Sequence, residues 1–387
     1  MRAAIAKVMR PFMRSLRVVS LVLGGVVLLA VALEGVYRVQ KGTREKLSGT
    51  LEWQVPATHP YAGTDWYEKF RYYPSPTYVH DPYRTWRVQP MQSEYMTINA
   101  DGYRATVQDM NTGPRRQVWL LGGTVMWGSG ARDAHTIPSL VAGRLAELGD
   151  TDIEVVNLAL PYFNFMQESI TLLKRLSNGE RPVAAVFLNG STDLRLARRH
   201  GQPGHADFES RNRALAQAGW YGRTFGDDVL DIVRRSQLLQ RLSLVGTPPT
   251  GAPAEDAQFS CQQAVGYYQE MARSIAGVAA AHRFDVIFAR QPDPSDRAEP
   301  RPEWERQWPV EEEQKACGEV VDAAMSASSA HYLSLRGIFD GDSEPRFLRE
   351  DGTLTEQANA IVARRIGDAL HEILRKDASL QFVSDTQ

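Results

Sequence analysis

From residue 117 onward, short apolar runs alternate with amphipathic stretches, and this alternation limits the possible folds more than any other feature of the chain. Residues 117–121 (QVWLL), 153–158 (IEVVNL), 183–188 (VAAVFL), 284–289 (FDVIFA) and 332–335 read as strands. Residues 136–148, 166–176, 261–282, 310–325 and 354–374 carry helical spacing of apolar positions between and after them. Runs without a polar face need cover on both sides, which a parallel sheet between two helical layers provides. The expectation is therefore an α/β domain of three layers, α/β/α, around a parallel sheet of about five strands. Ligand sites in such sheets lie beyond the carboxyl ends of the strands.

The N-terminus has a different character. Residues 18–33 are apolar apart from Ser20, and the run reaches Tyr37 if Glu34 sits near an interface. At about 1.5 Å rise per residue the longer span is just enough to cross a bilayer core. Arg2, Lys7, Arg10, Arg14 and Arg17 precede it. They make residues 1–17 a basic cytoplasmic segment, residues 18–37 a transmembrane helix, and the remainder extracytoplasmic. The alternative is a cleaved signal peptide, since Ala30-Val31-Ala32 has the A-x-A form. Either reading places Cys261 and Cys317 where they could pair as a disulfide.

Residues 38–94 read as a charged stalk followed by an aromatic and proline-rich segment with neither helical nor strand period. Its rings need burial, and docking on the chain's own domain is the simplest means. Residues 194–258 interrupt the strand–helix alternation. They read as a helical insertion over the rim of the sheet, with a helix near 227–244, within a domain spanning 95–387. Composition excludes little. The formal net charge of −2 gives no electrostatic case for nucleic acid. The two cysteines lie in no metal-ligand cluster, so a structural zinc is not expected, and no cofactor is implied.

Five short blocks fall at strand ends or in a loop before a helix. They are Asn99-Ala100-Asp101-Gly102-Tyr103-Arg104, Gly122-Gly123-Thr124-Val125-Met126-Trp127-Gly128, residues 157–168 (NLALPYFNFMQE), residues 189–193 (NGSTD) and residues 347–359 (FLREDGTLTEQAN). In order and spacing they resemble the blocks of the SGNH, or GDSL-type, hydrolases, in the branch where a membrane anchor precedes the domain. The resemblance covers roughly residues 95–374. It implies a flavodoxin-like sheet and an ester-hydrolase ancestry.

The chemistry implied by that resemblance is altered. Such a site needs a Ser nucleophile, a His to take its proton, an Asp to orient the His, and oxyanion donors from a Gly amide and an Asn side chain. Here the Ser position, next to Gly123, holds Thr124. The Gly position holds Ala159 and the Asn position Thr192, while Glu350 and Thr353 stand for Asp and His. No base remains beside Thr124 unless His135, His200 or His205 swings in. Gly341-Asp342-Ser343 resembles the family's nickname but follows the wrong strand and reads as a turn.

The reading that follows is a membrane-anchored extracytoplasmic domain, non-catalytic on these substitutions, whose pocket of Gly123, Thr124, Ala159, Thr192, Glu350 and Thr353 holds a ligand or partner. The alternatives are an esterase or acyltransferase on envelope glycans or lipids using Thr124, and a structural subunit of a membrane-protein complex.

Overall fold

The computed structural model describes residues 55–70, 76–109, 115–207, 260–329 and 331–384, with isolated positions at 25, 32, 34 and 36. The chain divides into two compact units, residues 1–54 with 210–252 and residues 55–209 with 253–387. The sheet and its helices belong to the second. The expected span at 18–37 lies almost wholly outside the described residues, as does the expected helix at 227–244. Among the described residues, no helix is long and apolar enough to cross a membrane.

The sheet has five parallel strands: β5 (Arg116–Gly122), β6 (Ile153–Asn157), β7 (Ala184–Asn189), β8 (Asp285–Arg290) and β9 (Tyr332–Ser334). Their order is β6-β5-β7-β8-β9, so the chain first steps one way from β5 and then returns across it to β7. That reversal opens a crevice at the carboxyl ends of β5 and β7. Burial follows position in the sheet. Central β7 is buried at every residue, whereas β6, at one edge, alternates, and β9, at the other, is half-buried throughout. The unbroken apolar run at 183–188 is thus what a central strand requires.

Helices α3 (Ile137–Glu147), α4 (Phe165–Ser177), α6 (Cys261–His282), α7 (Glu312–Ser328) and α8 (Glu356–Ser384) fall where the apolar periodicity puts them. Thr136 caps α3, accepting the Ser139 amide, and Asn164 opens α4 in a capping box with Gln167. α2 (Thr124–Trp127) and α5 (Ser191–His200) are shorter and follow β5 and β7 directly. α5 corrects one boundary. Residues 194–200, read from sequence as the start of the insertion, continue a helix whose Leu194, Leu196 and Ala197 are buried in the domain. Cys261 and Cys317 are disulfide-bonded with Cα atoms 5.5 Å apart, joining α6 to α7.

Ahead of the sheet lie α1 (Asp65–Phe70) and two antiparallel pairs, β1 (Tyr78–Asp81) with β2 (Thr85–Val88) and β3 (Met91–Gln92) with β4 (Thr97–Ile98). The aromatic segment packs on the α/β domain. Tyr61 is buried and its hydroxyl oxygen accepts the Glu356 amide at 2.7 Å. The Arg132 guanidinium lies 4.6 Å from the Trp66 ring centre, and Trp304 meets His59 edge-on. Trp86 is buried against Phe163 and donates its indole N–H to the Pro161 carbonyl at 3.2 Å. These rings find their cover within the domain, whereas Tyr78 and Tyr83 stay exposed.

Candidate functional site

The turn after β5 places Thr124 at the start of α2. Gly123 permits this, because a Cβ there would lie 2.7 Å from the Phe163 carbonyl oxygen. The Thr124 side chain is buried, and its hydroxyl oxygen accepts the Tyr162 amide at 3.0 Å. Arg104 locks the stretch that follows. Its fully buried guanidinium donates to Asp133 at 2.7 Å and to the carbonyls of Gly128 and Ala131, and it stacks over Trp127. The arginine of the first block therefore acts as a clamp on the loop beyond Thr124.

Beyond β6 the chain runs close under this turn. The Ala159 amide, expected as an oxyanion donor, instead donates to the side-chain oxygen of Asn157 at 3.1 Å, and Ala159 is fully buried. The segment is fixed further by Gln167, which reaches back from α4 to the Arg84 carbonyl at 2.8 Å.

At the end of β7, Gly190 takes a backbone conformation with φ 140°, and α5 begins at once. Thr192 is buried in its first turn. Its neighbours are more engaged. Ser191 donates a short hydrogen bond to Asp293, which also accepts from Gln314 and the Ser295 amide. Asn189 donates to Glu168 at 2.6 Å, and Asp193 accepts the Phe165 amide at 2.9 Å. Burial pushes Asp193 up to about 6 despite its hydrogen bonds. Burial, with the Asp193 charge adding to it, holds Glu168 well above the usual carboxylate range. This buried carboxylate pair escaped the reading of the sequence, although both residues sit inside motif blocks. A Glu in the first turn of a helix reads there as a partner of the helix dipole.

The fifth block forms a tight loop. Leu348 and Thr353 are joined by a 2.7 Å backbone hydrogen bond, and Phe347 bridges Leu354. Gly352, with φ +85°, packs where a Cβ would lie 3.3 Å from the Gln291 side-chain nitrogen and 3.7 Å from the Ser191 hydroxyl. A Cβ on Gly130, in the loop after α2, would lie 3.5 Å from the Thr353 methyl. Thus the segments holding Gly123, Thr124, Ala159, Thr192 and Thr353 all gather at the carboxyl edge of the sheet. Glu350 does not join them. It is exposed, and the carboxylate that meets Thr353 belongs to Asp351, which accepts both the Thr353 amide and hydroxyl.

None of the eight histidines hydrogen-bonds the Thr124 hydroxyl. His135 lies 3.8 Å from Glu356, a carboxylate already held by the Arg132 guanidinium. His200 and His205 stack on each other, ring centres 5.1 Å apart, and the His205 carbonyl accepts Asn164. Among the described residues, no group of three or more His, Cys, Asp or Glu is placed to hold a metal ion. Acyl transfer needs a hydroxyl with a base and free donors aimed at a developing oxyanion. Here the Thr124 hydroxyl accepts an amide, the Ala159 amide is spent on Asn157, and the Thr353 hydroxyl is bound within its own loop.

No protein-family model matches the chain, and no curated protein matches it in sequence. Among solved structures it is similar to an acetyl xylan esterase at 10% identity, covering 65% of this chain and 98% of that one, with a TM-score of 0.38. It is similar to the lipase/acylhydrolase from Enterococcus faecalis at 12% identity, covering 66% and 96%, with a TM-score of 0.39. The psychrotrophic esterase EstA from Pseudoalteromonas sp. is similar at 9% identity, covering 67% and 99%, with a TM-score of 0.36. The likeness is distant, and these names are those of the neighbours rather than of this chain.

Proposed function

We propose that the chain is an SGNH-like domain that has given up ester chemistry and works by binding a partner, held outside the cytoplasm by its N-terminal span. The observation that carries this reading is the closed state of the strand-end cluster. Thr124, Ala159, Thr192 and Thr353 are all buried, and the Thr124 hydroxyl, the Ala159 amide and the Thr353 hydroxyl each have a partner within the protein. A site that turns over substrate keeps such groups for the reacting atoms. The strand order and the gathering of the motif blocks support descent from the hydrolase fold. The apolar run at 18–37 with basic residues before it supports the anchor. The Cys261–Cys317 disulfide fits an oxidising compartment.

The test is hydrolysis of a graded series of p-nitrophenyl esters by the purified full chain in detergent, beside Thr124→Ala. Rates at buffer background are expected for both. Turnover that disappears in Thr124→Ala would overturn the reading in favour of an esterase or acyltransferase acting on envelope glycans or lipids. Orientation is tested separately. Protease added to intact spheroplasts is expected to degrade the domain, and full protection would reverse the topology.

A further inference from the structure

We propose that the β9 edge of the sheet is the docking groove, and that its occupant is an extended acidic segment of a partner protein. This inference rests on the partner-binding reading and supplies the chemistry of the partner. The groove lies between the end of β9 and α8 and has a volume of about 530 Å³. Three arginines line it, Arg336, Arg364 and Arg365, over an apolar floor of Ile338, Ala360 and Ile361. None of Gly123, Thr124, Ala159, Thr192 and Thr353 belongs to it.

The three cations are not equivalent. Arg336 is held by Asp296 at 3.0 Å and pairs also with Glu319. Arg364 and Arg365 are exposed and make no ion pair or hydrogen bond with the described residues. Guanidinium groups presented in this way match carboxylates, two N–H groups to two oxygens. The backbone adds a second invitation. β9 ends the strand order, so no described strand pairs with its outer edge, and Ser334 of that strand lines the groove. An extended peptide can add along such an edge. Its residues i and i+2 then face the same side about 6.8 Å apart. Acidic side chains on that face reach the arginines, and an apolar one between them covers the floor.

Other anions fit less well. Anionic membranes are held by clusters of about four to eight basic residues. This groove offers three, one of them already shared with two carboxylates. A lone phosphate would engage the guanidiniums and leave the isoleucines uncovered.

The experiment is fluorescence anisotropy with the full chain in detergent. The probe is a labelled, acetylated peptide in which Glu, Ile and Glu alternate with Thr. Saturable binding is expected, weakening as salt rises. Arg364→Gln with Arg365→Gln should raise the dissociation constant by about tenfold or more, as should replacing each Glu of the peptide by Gln. Arg273→Gln, on the exposed face of α6, is the charge control and should bind as the wild type does. Three results would each overturn the proposal: wild-type affinity in the double variant, equal affinity for the Gln peptide, or capture by phosphatidylglycerol vesicles with no peptide binding. The ester assay reads Thr124 alone, so the two ideas fail separately. Turnover sinks the non-catalytic reading whatever the peptide does, and absent peptide binding in an inactive protein sinks only the groove.

Discussion

The Thr353 hydroxyl donates to the Asp351 carboxylate at 2.6 Å, two residues back along the same loop. The residue that the sequence resemblance aligns with a histidine is thus used to close a turn. Installing the residues that the sequence resemblance would place here, Thr124→Ser with Thr192→Asn, Glu350→Asp and Thr353→His, is therefore expected to leave ester hydrolysis at background. The carboxylate at 350 points to solvent, and the Ala159 amide stays with Asn157. The Thr353→His change alone forces an imidazole into a fully packed position and should cost about 1–3 kcal/mol. Ester assays and chemical denaturation of the single and combined variants check both statements.

The Glu168–Asp193 pair predicts a pH effect with a definite sign. Both carboxyls titrate higher in the folded protein than in the unfolded chain. The folded state then holds more protons than the unfolded one as pH rises above the ordinary carboxylate range, so stability falls with rising pH. Glu168→Gln removes one of these groups and keeps its shape. Between pH 4.5, the ordinary value for the group, and neutrality, the wild type should lose stability relative to this variant. Urea midpoints across that interval measure the difference, and parallel curves would contradict it.

A buried ion pair pins the fifth block from behind. Arg297 donates to both oxygens of Glu305 at 2.9 and 3.0 Å, and one of those oxygens also accepts the Arg346 and Phe347 amides. Glu305→Gln leaves an arginine without its counter-charge and should destabilise the domain by roughly 3–5 kcal/mol. Loss of less than about 1 kcal/mol by denaturant titration would show the pair to be dispensable.

The α6–α7 disulfide closes a loop of 56 residues. Cys261→Ala with Cys317→Ala should lower stability by roughly 2–5 kcal/mol, and dithiothreitol should do the same to the wild type but not to the double variant. Mass spectrometry of non-reduced peptides identifies the linkage directly.

How far these features were legible in the sequence depends on which residues carry them. The continuous run around Phe187 reads as a strand over 183–188, and the strand ends one residue later, at Asn189. The apolar periodicity of the closing helix ends at residue 374, but the helix continues to Ser384, since no Gly or Pro stops it. The boundary at 194 falls inside the first turn of α5, because Gly190 precedes the helix without a side-chain cap and so gives no start signal. At the site, Thr124, Ala159 and Thr192 each follow a strand end, and the resemblance of the motif blocks is what singles them out. Glu350 and Asp351 are adjacent carboxylates in a loop, where no period says which faces inward. The answer comes from Gly352, whose left-handed backbone turns Thr353 back onto Asp351.

The docking of the aromatic segment has a mechanical meaning. Any pull on the chain from the side of residue 55 enters the domain through Tyr61 at the start of α8 and through Trp66 on Arg132. Arg132 is itself joined to Glu356 in the first turn of α8. The load thus falls on a helix terminus and its ring contacts and is shared before it reaches a strand. A pull from that side is therefore expected to part the ring contacts before it unzips the sheet.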